Sequence, residues 1–217
     1  MSSTQLFPEV IDNTVLNQKP QGGIYLPIGI EGVIGAAGTG VVGTSYTISR
    51  ASDADTYLDP TSTLAKIVKM LLDRGAGPVI VVPSQKSPTA VTLADRQAAW
   101  QSLEANPLVR IRLTDSVLQA DHVALGTSCD YAALLQNKQF AIVGMAAATA
   151  KATLLTAADA IASKKVVLTA PGVVLEDGTT KDANFTAAAI ASMVAQNSNP
   201  ADDLDTATVP KLLSMEK

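Results

Sequence analysis

The stretch with the clearest potential for chemistry is GTGVVGTS, residues 38–45. It matches the dinucleotide-binding pattern G-x-G-x-x-G, and it matches the phosphate loop G-x-x-x-x-G-K-[ST] except that Thr44 replaces the lysine. The residues that follow are β-like, so they do not supply the helix N-terminus that holds a phosphate. Asp53 and Asp55 lie closer than the spacing of about 20 residues expected of the ribose-binding acid. The pattern therefore favours a glycine-rich hairpin or bulge.

A second stretch, GTSCD at residues 126–130, resembles the nucleophile elbow G-x-S-x-G but ends on Asp130. Any serine or cysteine hydrolase built here would depend on His122, because the chain has one histidine. Cys129 lies seven residues from His122, and the intervening Gly126 is expected to interrupt the helix between them. The sequence thus favours a small buried cysteine and predicts no catalytic residues.

Polar residues at predicted strand ends give a weaker indication of a ligand site. Asp115 follows one strand, residues 84–87 follow another, and Ala-Pro-Gly at 170–172 follows a third. In open α/β sheets, ligands bind at such carboxyl ends. An alternative function is therefore a small nucleotide- or metabolite-binding α/β enzyme domain that uses Ser84, Asp115 and residues 170–172.

Composition narrows the classes of function. The chain has 217 residues, 47% of them hydrophobic, and a net charge of −4, so it predicts a globular core without a basic surface for nucleic acid or anionic membranes. One cysteine and one histidine exclude a disulfide framework, a cysteine zinc site and a multi-histidine metal centre. No cofactor is predicted.

The sequence also predicts neither a membrane span nor a secretory signal. Residues 32–49 carry no charge, but their glycines, serines and threonines disfavour a membrane span. Residues 1–20 lack the apolar segment of a secretory signal.

Hydrophobic periodicity alternates between strands and helices along the chain. Helical patterns are predicted from about 59 to 75, from Thr92 with a capping box to Asp95, around 128–137, after Thr149 with a stripe of Leu154, Leu155, Ala158 and Ile161, and from Asn184 to about 196. Strands are predicted at 28–34, 41–48, 78–83, 109–113, 140–144 and 165–169, and a polar hairpin at 176–178. This alternation predicts an α/β fold with a doubly wound, largely parallel sheet flanked by helices.

Both ends of the chain differ from this central pattern. Residues 1–20 lack helical periodicity and read as an extended N-terminal arm, whose apolar residues are expected to contact another subunit: Phe7, Val10, Ile11, Val15 and Leu16. The α/β domain is predicted to span 21–200. Residues 201–217 are predicted to form an irregular C-terminal tail or a second arm.

The order of these segments resembles the contractile tail sheath proteins of bacteriophages and of R-type pyocins. The resemblance rests on the glycine-rich GIEGVIGAAGTG, on TYLDPTSTLAKIVKMLLDRGAGPVIVVP, and on ADAIASKKVVLTAPGVVLEDGTT followed by a helix and NSNPADD. It implies a structural protein of the virion tail, made in the host cytoplasm and without enzymatic activity. Its implied partners are copies of itself in six-fold rings and other tail proteins, such as the tube, the baseplate or a second sheath component.

The resemblance also implies that the arms add strands to the sheets of neighbouring subunits. Sheath proteins usually continue past the NSNPADD region into a C-terminal domain, whereas this sequence ends at Lys217. The chain is therefore expected to be a reduced sheath protein, one half of a split sheath, or a shortened version of a longer one.

Overall fold

The computed structural model describes residues 26–175, 178–196 and 212–215. Its strands are β1 (Ile28–Ile34), β2 (Tyr46–Ile48), β3 (Val79–Lys86), β4 (Ile111–Thr114), β5 (Phe140–Gly144), β6 (Val166–Thr169), β7 (Val173–Leu175), β8 (Thr180–Lys181) and β9 (Leu212–Met215). Its helices are α1 (Ala51–Leu58), α2 (Thr63–Asp73), α3 (Leu93–Glu104), α4 (Gln119–Leu134), α5 (Lys151–Ile161) and α6 (Ala183–Gln196). The predicted arm of residues 1–20, with Phe7, Val10, Ile11, Val15 and Leu16, lies outside the described residues.

Six strands form one sheet in the order β2-β3-β1-β4-β5-β6. All of them run parallel except the edge strand β2, which pairs antiparallel with β3. The parallel strands β3 and β4 lie on opposite sides of β1, since β3 pairs with one edge of β1 and β4 with the other. The order of the strands therefore reverses at the centre of the sheet, and the predicted doubly wound α/β class is confirmed.

Helices cover both faces of this sheet. Helices α2 and α6 pack on one face and enclose the larger apolar core with buried residues of β1, β3 and β4. Helices α3, α4 and α5 cover the other face, where Trp100, Leu125 and Ile161 belong to a second cluster. A strand covered on both faces must be apolar on both, which explains the continuous valines of β3.

Local sequence signals determine where two of these helices begin. Ser62 precedes α2, and its hydroxyl accepts a hydrogen bond from the backbone N–H of Ala65 at 3.1 Å. Thr92 precedes α3 and forms the predicted capping box, in which Thr92 and Asp95 each accept from the other's backbone N–H. Such caps satisfy amides that would otherwise lack a partner at a helix start.

The region after β1 differs from the prediction. The strand expected at 41–48 is limited to Tyr46–Ile48, and it pairs with β3 instead of β1, so the predicted glycine-rich hairpin is wrong. The preceding loop instead packs against helix α1, whose short polar sequence ASDADTYL had given no periodic signal.

Three details of the later helices also require correction. Helix α4 begins at Gln119, well before the predicted 128, and it continues through Gly126. In α5 the buried residues are Ala157 and Ile161, whereas the predicted stripe residue Leu155 is 58% exposed. Neither predicted cap forms. Helix α5 is preceded by Ala150, with no side-chain cap, and Asn184 lies inside α6.

A second, smaller sheet has the order β8-β7-β9. Strands β7 and β8 are antiparallel neighbours, which confirms the hairpin predicted around residues 176–178. Strand β9 pairs antiparallel with the other edge of β7, so the described part of the segment 201–217 is a strand. Across the part of the chain that is described, no helix has the length and apolar character needed to cross a bilayer.

Candidate functional site at the centre of the sheet

The carboxyl ends of β1 and β4 lie where the strand order reverses, the place at which doubly wound folds bind ligands. Glu31 of β1 is fully buried at this position. Its Oε1 accepts a hydrogen bond from Arg96 Nη1 of α3 at 2.6 Å, and its Oε2 accepts from Thr114 Oγ1 at 2.8 Å and Trp100 Nε1 at 3.2 Å. Both carboxylate oxygens therefore have partners inside the protein.

Two further carboxylates share the same guanidinium. Arg96 Nη1 lies 2.8 Å from Asp115 Oδ1, and Arg96 Nε lies 3.0 Å from Asp121 Oδ2. All three acids and the arginine are almost inaccessible to solvent. We call Glu31, Arg96, Asp115 and Asp121 the central ion cluster. It joins the middle strands to α3 and α4 across more than 60 residues of sequence.

Asp115 also stabilises an irregularity in β1. The register between β1 and β3 shifts between Gly32 and Val33, and the Val33 N–H donates to Asp115 Oδ2 at 2.7 Å. A Cβ atom on Gly32 would lie 2.7 Å from Asp115 Cγ, closer than atoms can approach. Position 32 is therefore glycine because the Asp115 carboxylate occupies the space of a side chain.

Burial and charge alter the protonation of the cluster. Burial, helped by the negative charge of Asp115, raises the pKa of Glu31 to about 7, although Arg96 and neighbouring hydroxyls oppose the shift. Burial alone would lower the pKa of Arg96, but the nearby carboxylates outweigh it and raise that pKa. Arg96 thus stays charged, while Glu31 titrates near neutrality.

This arrangement does not form a phosphate site. Three carboxylates face one guanidinium, which leaves two negative charges in excess when Glu31 is ionised. The cationic group that would bind an anion is already bonded to acids, and the excess charge repels phosphate. Among the described residues, no group of three or more acids, histidines or cysteines has the geometry of a metal site. The cluster is best understood as a buried structural connection.

The structure brings two of the three strand-end predictions together. Asp115 belongs to the cluster, and the buried hydroxyl of Ser84, which lies within β3 instead of in a loop after it, is a neighbour of Glu31 that lowers its pKa. Residues 170–172 lie apart, in the turn between β6 and β7. Three members of the cluster, Glu31, Arg96 and Asp121, were not predicted. A single glutamate within the apolar IGIEGVI was the available signal, because such a residue is buried only with a partner.

The glycine-rich stretch GTGVVGTS packs closely against the backbone of α1. Cβ atoms on Gly38 and Gly40 would lie 2.7 and 2.8 Å from the carbonyl oxygen of Tyr57. The Gly40 N–H donates to that same carbonyl at 2.9 Å, and Lys86 Nζ donates to the Gly38 carbonyl at 2.6 Å. These glycines therefore serve packing within the chain itself, and the prediction of close backbone contact is confirmed.

The hydrolase-like stretch GTSCD lies in the middle of α4, so it forms no strand-to-helix elbow. His122 Nε2 faces the backbone carbonyl of Ser116 at 3.0 Å, and burial lowers the pKa of His122. Cys129 is fully buried, and burial raises the pKa of its thiol. A neutral, enclosed thiol is a poor nucleophile, which supports the prediction of a structural cysteine.

Ser128 of the same stretch is bonded to structural partners. Its hydroxyl accepts from Arg112 Nη1 at 2.6 Å and donates to Glu104. Arg112 is fully buried on β4, and the Ser128 hydroxyl connects its guanidinium to the Glu104 carboxylate. This serine therefore links a buried charge pair. It also lies at the wall of a hollow of about 880 Å³ between α3 and α4, but its hydroxyl is already bonded to Arg112 and Glu104.

Comparisons with known proteins identify the architecture. By sequence, the chain matches no protein-family model and no curated protein. By structure, it aligns with a sheath tail protein from Desulfitobacterium hafniense at a TM-score of 0.65 and 12% identity, over 89% of this chain and 64% of that one. The chain has the fold of a tail sheath protein.

Two more structures share this sheath fold. A sheath tail protein from Listeria innocua aligns at a TM-score of 0.57 and 11% identity, over 85% of this chain and 59% of that one. The helical sheath of the anti-feeding prophage in its contracted state aligns at a TM-score of 0.53 and 11% identity, over 91% of this chain and 54% of that one. The chain thus spans less than two thirds of the length of these sheath proteins.

Proposed function

We propose that this chain is a structural subunit of a bacteriophage or phage-derived tail, of the sheath type. The observation that carries the proposal is the fold shared with the Desulfitobacterium sheath tail protein over 89% of the chain. In this proposal the chain resides in the tail of the virion, after synthesis and folding in the host cytoplasm. Its partners are copies of itself and other tail proteins.

The proposed role involves no catalysis. The position where a doubly wound sheet would bind a ligand is filled by the central ion cluster, whose four side chains bond mainly to one another. The strongest nucleophile candidates, Ser128 and Cys129, are buried within α4. Both observations favour a structural role over the alternative of a nucleotide- or metabolite-binding enzyme.

In the proposed assembly, residues 21–200 form the body of each subunit and residues 1–20 form an arm that reaches a neighbour. The arm carries apolar residues and few charges, which suits strand addition to another sheet. Residues 201–217 form a second contact segment, of which Leu212–Met215 pairs with β7. Rings of six subunits around a tail tube are the arrangement we propose.

Electron microscopy of the purified protein tests this proposal directly. We expect rings, stacked rings or helical polymers from the full chain. A variant in which the arm residues Phe7, Val10, Ile11, Val15 and Leu16 are all replaced by serine keeps the length of the arm but removes its apolar contacts. This variant should retain the thermal unfolding transition of the core and lose polymerisation.

Two results would contradict the proposal. One is a full chain that stays monomeric at all concentrations and is missing from tails purified from its source. The other is stabilisation by ATP or NAD in a thermal-shift assay, since a ligand at a hundred times its dissociation constant adds about 2.7 kcal/mol. That second result would favour the enzyme.

A further inference from the structure

The central ion cluster places three buried carboxylates around one cation. Arg96 Nη1 bonds to both Glu31 and Asp115, whereas Asp121 bonds to Nε alone. When Glu31 is ionised, Arg96 and its two Nη1 partners carry one positive and two negative charges, so together they repel Asp121. When Glu31 holds a proton, the same three side chains are neutral together. The charge on Glu31 therefore decides whether Asp121 is repelled.

Asp121 is also the least firmly held of the three acids. Its oxygen lies 3.0 Å from Arg96, against 2.6 Å for Glu31 and 2.8 Å for Asp115. Asp115 is fixed further, because its side chain accepts from the backbone of β1 and its carbonyl accepts from Asn184 Nδ2 of α6 at 3.1 Å. Besides Arg96, the one described group that donates to the Asp121 carboxylate is the Ser116 hydroxyl. Asp121 is therefore the acid whose departure breaks the fewest bonds.

Asp121 belongs to the first turn of α4, which has little local support. Leu118 precedes the helix, supplies no side-chain cap and is 61% exposed. A helix start without a cap leaves backbone N–H groups unsatisfied, so it opens more easily than a capped one. The loop before α4 is attached through Ser116, whose hydroxyl donates to Asp121 and whose carbonyl contacts His122 Nε2 at 3.0 Å. Departure of Asp121 from Arg96 therefore loosens residues 116–122 together.

We propose that the central ion cluster is a proton-operated switch for the start of α4. When Glu31 holds a proton, Asp121 stays on Arg96 and residues 116–122 are closed. When Glu31 loses the proton, Asp121 leaves Arg96 more often and the segment opens toward solvent. This inference does not depend on the proposed tail function. It also differs from a change in overall stability, because it assigns the response to one segment of the fold.

The charged and polar groups around Glu31 set the pH range of the switch. They come from four elements: Arg96 and Trp100 of α3, Arg112 and Thr114 of β4 with the adjacent Asp115, Ser84 of β3, and Asp121 and His122 of α4. Burial and the charge of Asp115 raise the pKa of Glu31 to about 7, against the opposing effect of Arg96, so Glu31 loses its proton around neutral pH. His122 acts in the opposite direction.

The effect of His122 falls in a different pH range. Burial lowers the pKa of His122 below its ordinary value of 6.5, so protonation of this residue favours the open, hydrated segment only under acidic conditions. Above pH 6.5 this contribution fades. Measurements between pH 6.5 and pH 8.5 therefore report mainly on Glu31.

Hydrogen exchange of the full chain, followed by mass spectrometry over this pH range, tests the switch. Dividing each measured rate by the intrinsic rate of the unfolded chain removes the direct effect of pH on exchange. We expect the protection of the fragment 116–123 to fall about tenfold, the change that one pKa unit of coupling between Glu31 and Asp121 produces. Helix α2, on the opposite face of the sheet, is the internal control and should keep its protection.

Two variants each remove one partner of the coupling. Glu31→Gln has no proton to lose, and Asp121→Asn has no charge to be repelled. In both variants the protection of 116–123 should change by about twofold at most over the same range, whatever its absolute level. Asp130→Asn, which alters a more exposed acid of the same helix bonded to Lys165, is the matched control and should keep the tenfold loss. The pH series of the natural chain decides the question if a variant does not fold.

The fluorescence of Trp100 gives a separate measurement of the proton site. This residue is the chain's single tryptophan, and its Nε1 donates to Glu31 Oε2 at 3.2 Å. We expect the emission of the folded protein to titrate with a midpoint near pH 7 and the titration to vanish in Glu31→Gln. An emission that stays constant in the natural chain would contradict the assignment of the proton to Glu31.

Three results of the exchange experiment would overturn the proposal. Constant protection of 116–123 in the natural chain would mean that Asp121 stays on Arg96 whatever the charge on Glu31. A loss of the same size in Glu31→Gln would mean that another group titrates. An equal loss in helix α2 would mean that ionisation weakens the whole fold evenly, without opening the start of α4.

Discussion

Replacing Glu31 by glutamine should change how the stability of the core depends on pH. Glu31 is buried beside Asp115, and its pKa is raised from 4.5 to about 7. The folded protein therefore binds this proton more tightly than the unfolded chain does. The resulting stabilisation is fully present below about pH 4.5 and is lost as the pH rises through 7.

The size of the effect follows from the shift. Each pKa unit corresponds to about 1.36 kcal/mol, so a shift of about 2.5 units changes the free energy of unfolding by roughly 3 kcal/mol. Glutamine cannot ionise, so Glu31→Gln removes this dependence. The variant's free energy of unfolding minus that of the natural protein should rise by roughly 3 kcal/mol between pH 4.5 and pH 8. Altered hydrogen bonds to Arg96 or Trp100 add a constant offset that this comparison removes.

Urea unfolding followed by circular dichroism, repeated at several pH values for both proteins, measures this difference. His122, whose lowered pKa acts in the opposite direction, is present in both proteins and cancels. Asp95→Asn is a suitable control, because hydrogen bonds from Thr92 lower the pKa of Asp95 below 3.8. The free energy of unfolding of this variant minus that of the natural protein should therefore be constant above pH 5. A constant difference for Glu31→Gln over the same range would refute the reasoning, because it would mean that Arg96 keeps Glu31 ionised.

Two further substitutions test the packing around the same strands. Arg96→Met leaves buried carboxylates without their cation and should cost about 3–5 kcal/mol in urea unfolding, whereas Lys69→Met, which breaks an exposed pair, should cost at most about 1 kcal/mol. Equal losses of unfolding free energy in the two variants would show that the central ion cluster contributes no more to stability than an exposed ion pair does. In Gly144→Ala the new Cβ would lie 2.0 Å from the backbone at the start of α6, so we expect a loss of about 3 kcal/mol or more. Gly126→Ala meets only side chains and gains helix propensity, so its melting temperature should stay close to that of the natural protein, and similar losses for both glycines would contradict this account.

Elements with strong local signals were predictable. The heptad-like spacing of α2, the capping box of α3 and the apolar run of β5 each depend on neighbouring residues, and all three elements lie close to their predicted positions. Helix α4 was predicted too short because its first turns bury the polar residues Asp121 and His122, so the buried face of the helix shows no apolar periodicity there. Periodicity detects burial only when the buried residues are apolar.

The candidate site was only partly predictable for a different reason. Asp115 was located at a strand end because strand ends follow from the alternation of helices and strands. Its connection to Glu31 and Arg96 depends on which strands are neighbours, and that order is set by packing across the whole sheet. Residues 65 positions apart in sequence, such as Glu31 and Arg96, carry no local sign of their pairing.

The central position of β1 has a mechanical consequence. Any tension transmitted through residues 1–25 enters the folded domain at the start of this strand, whose residues pair with Val79–Lys86 on one side and Ile111–Thr114 on the other. A pull along the strand axis loads these two rows of hydrogen bonds in shear, so many bonds must break together, whereas a pull on an edge strand can peel them one at a time. In the tail assembly that we propose, a chain loaded through its middle strand would resist extraction when its neighbours pull on it.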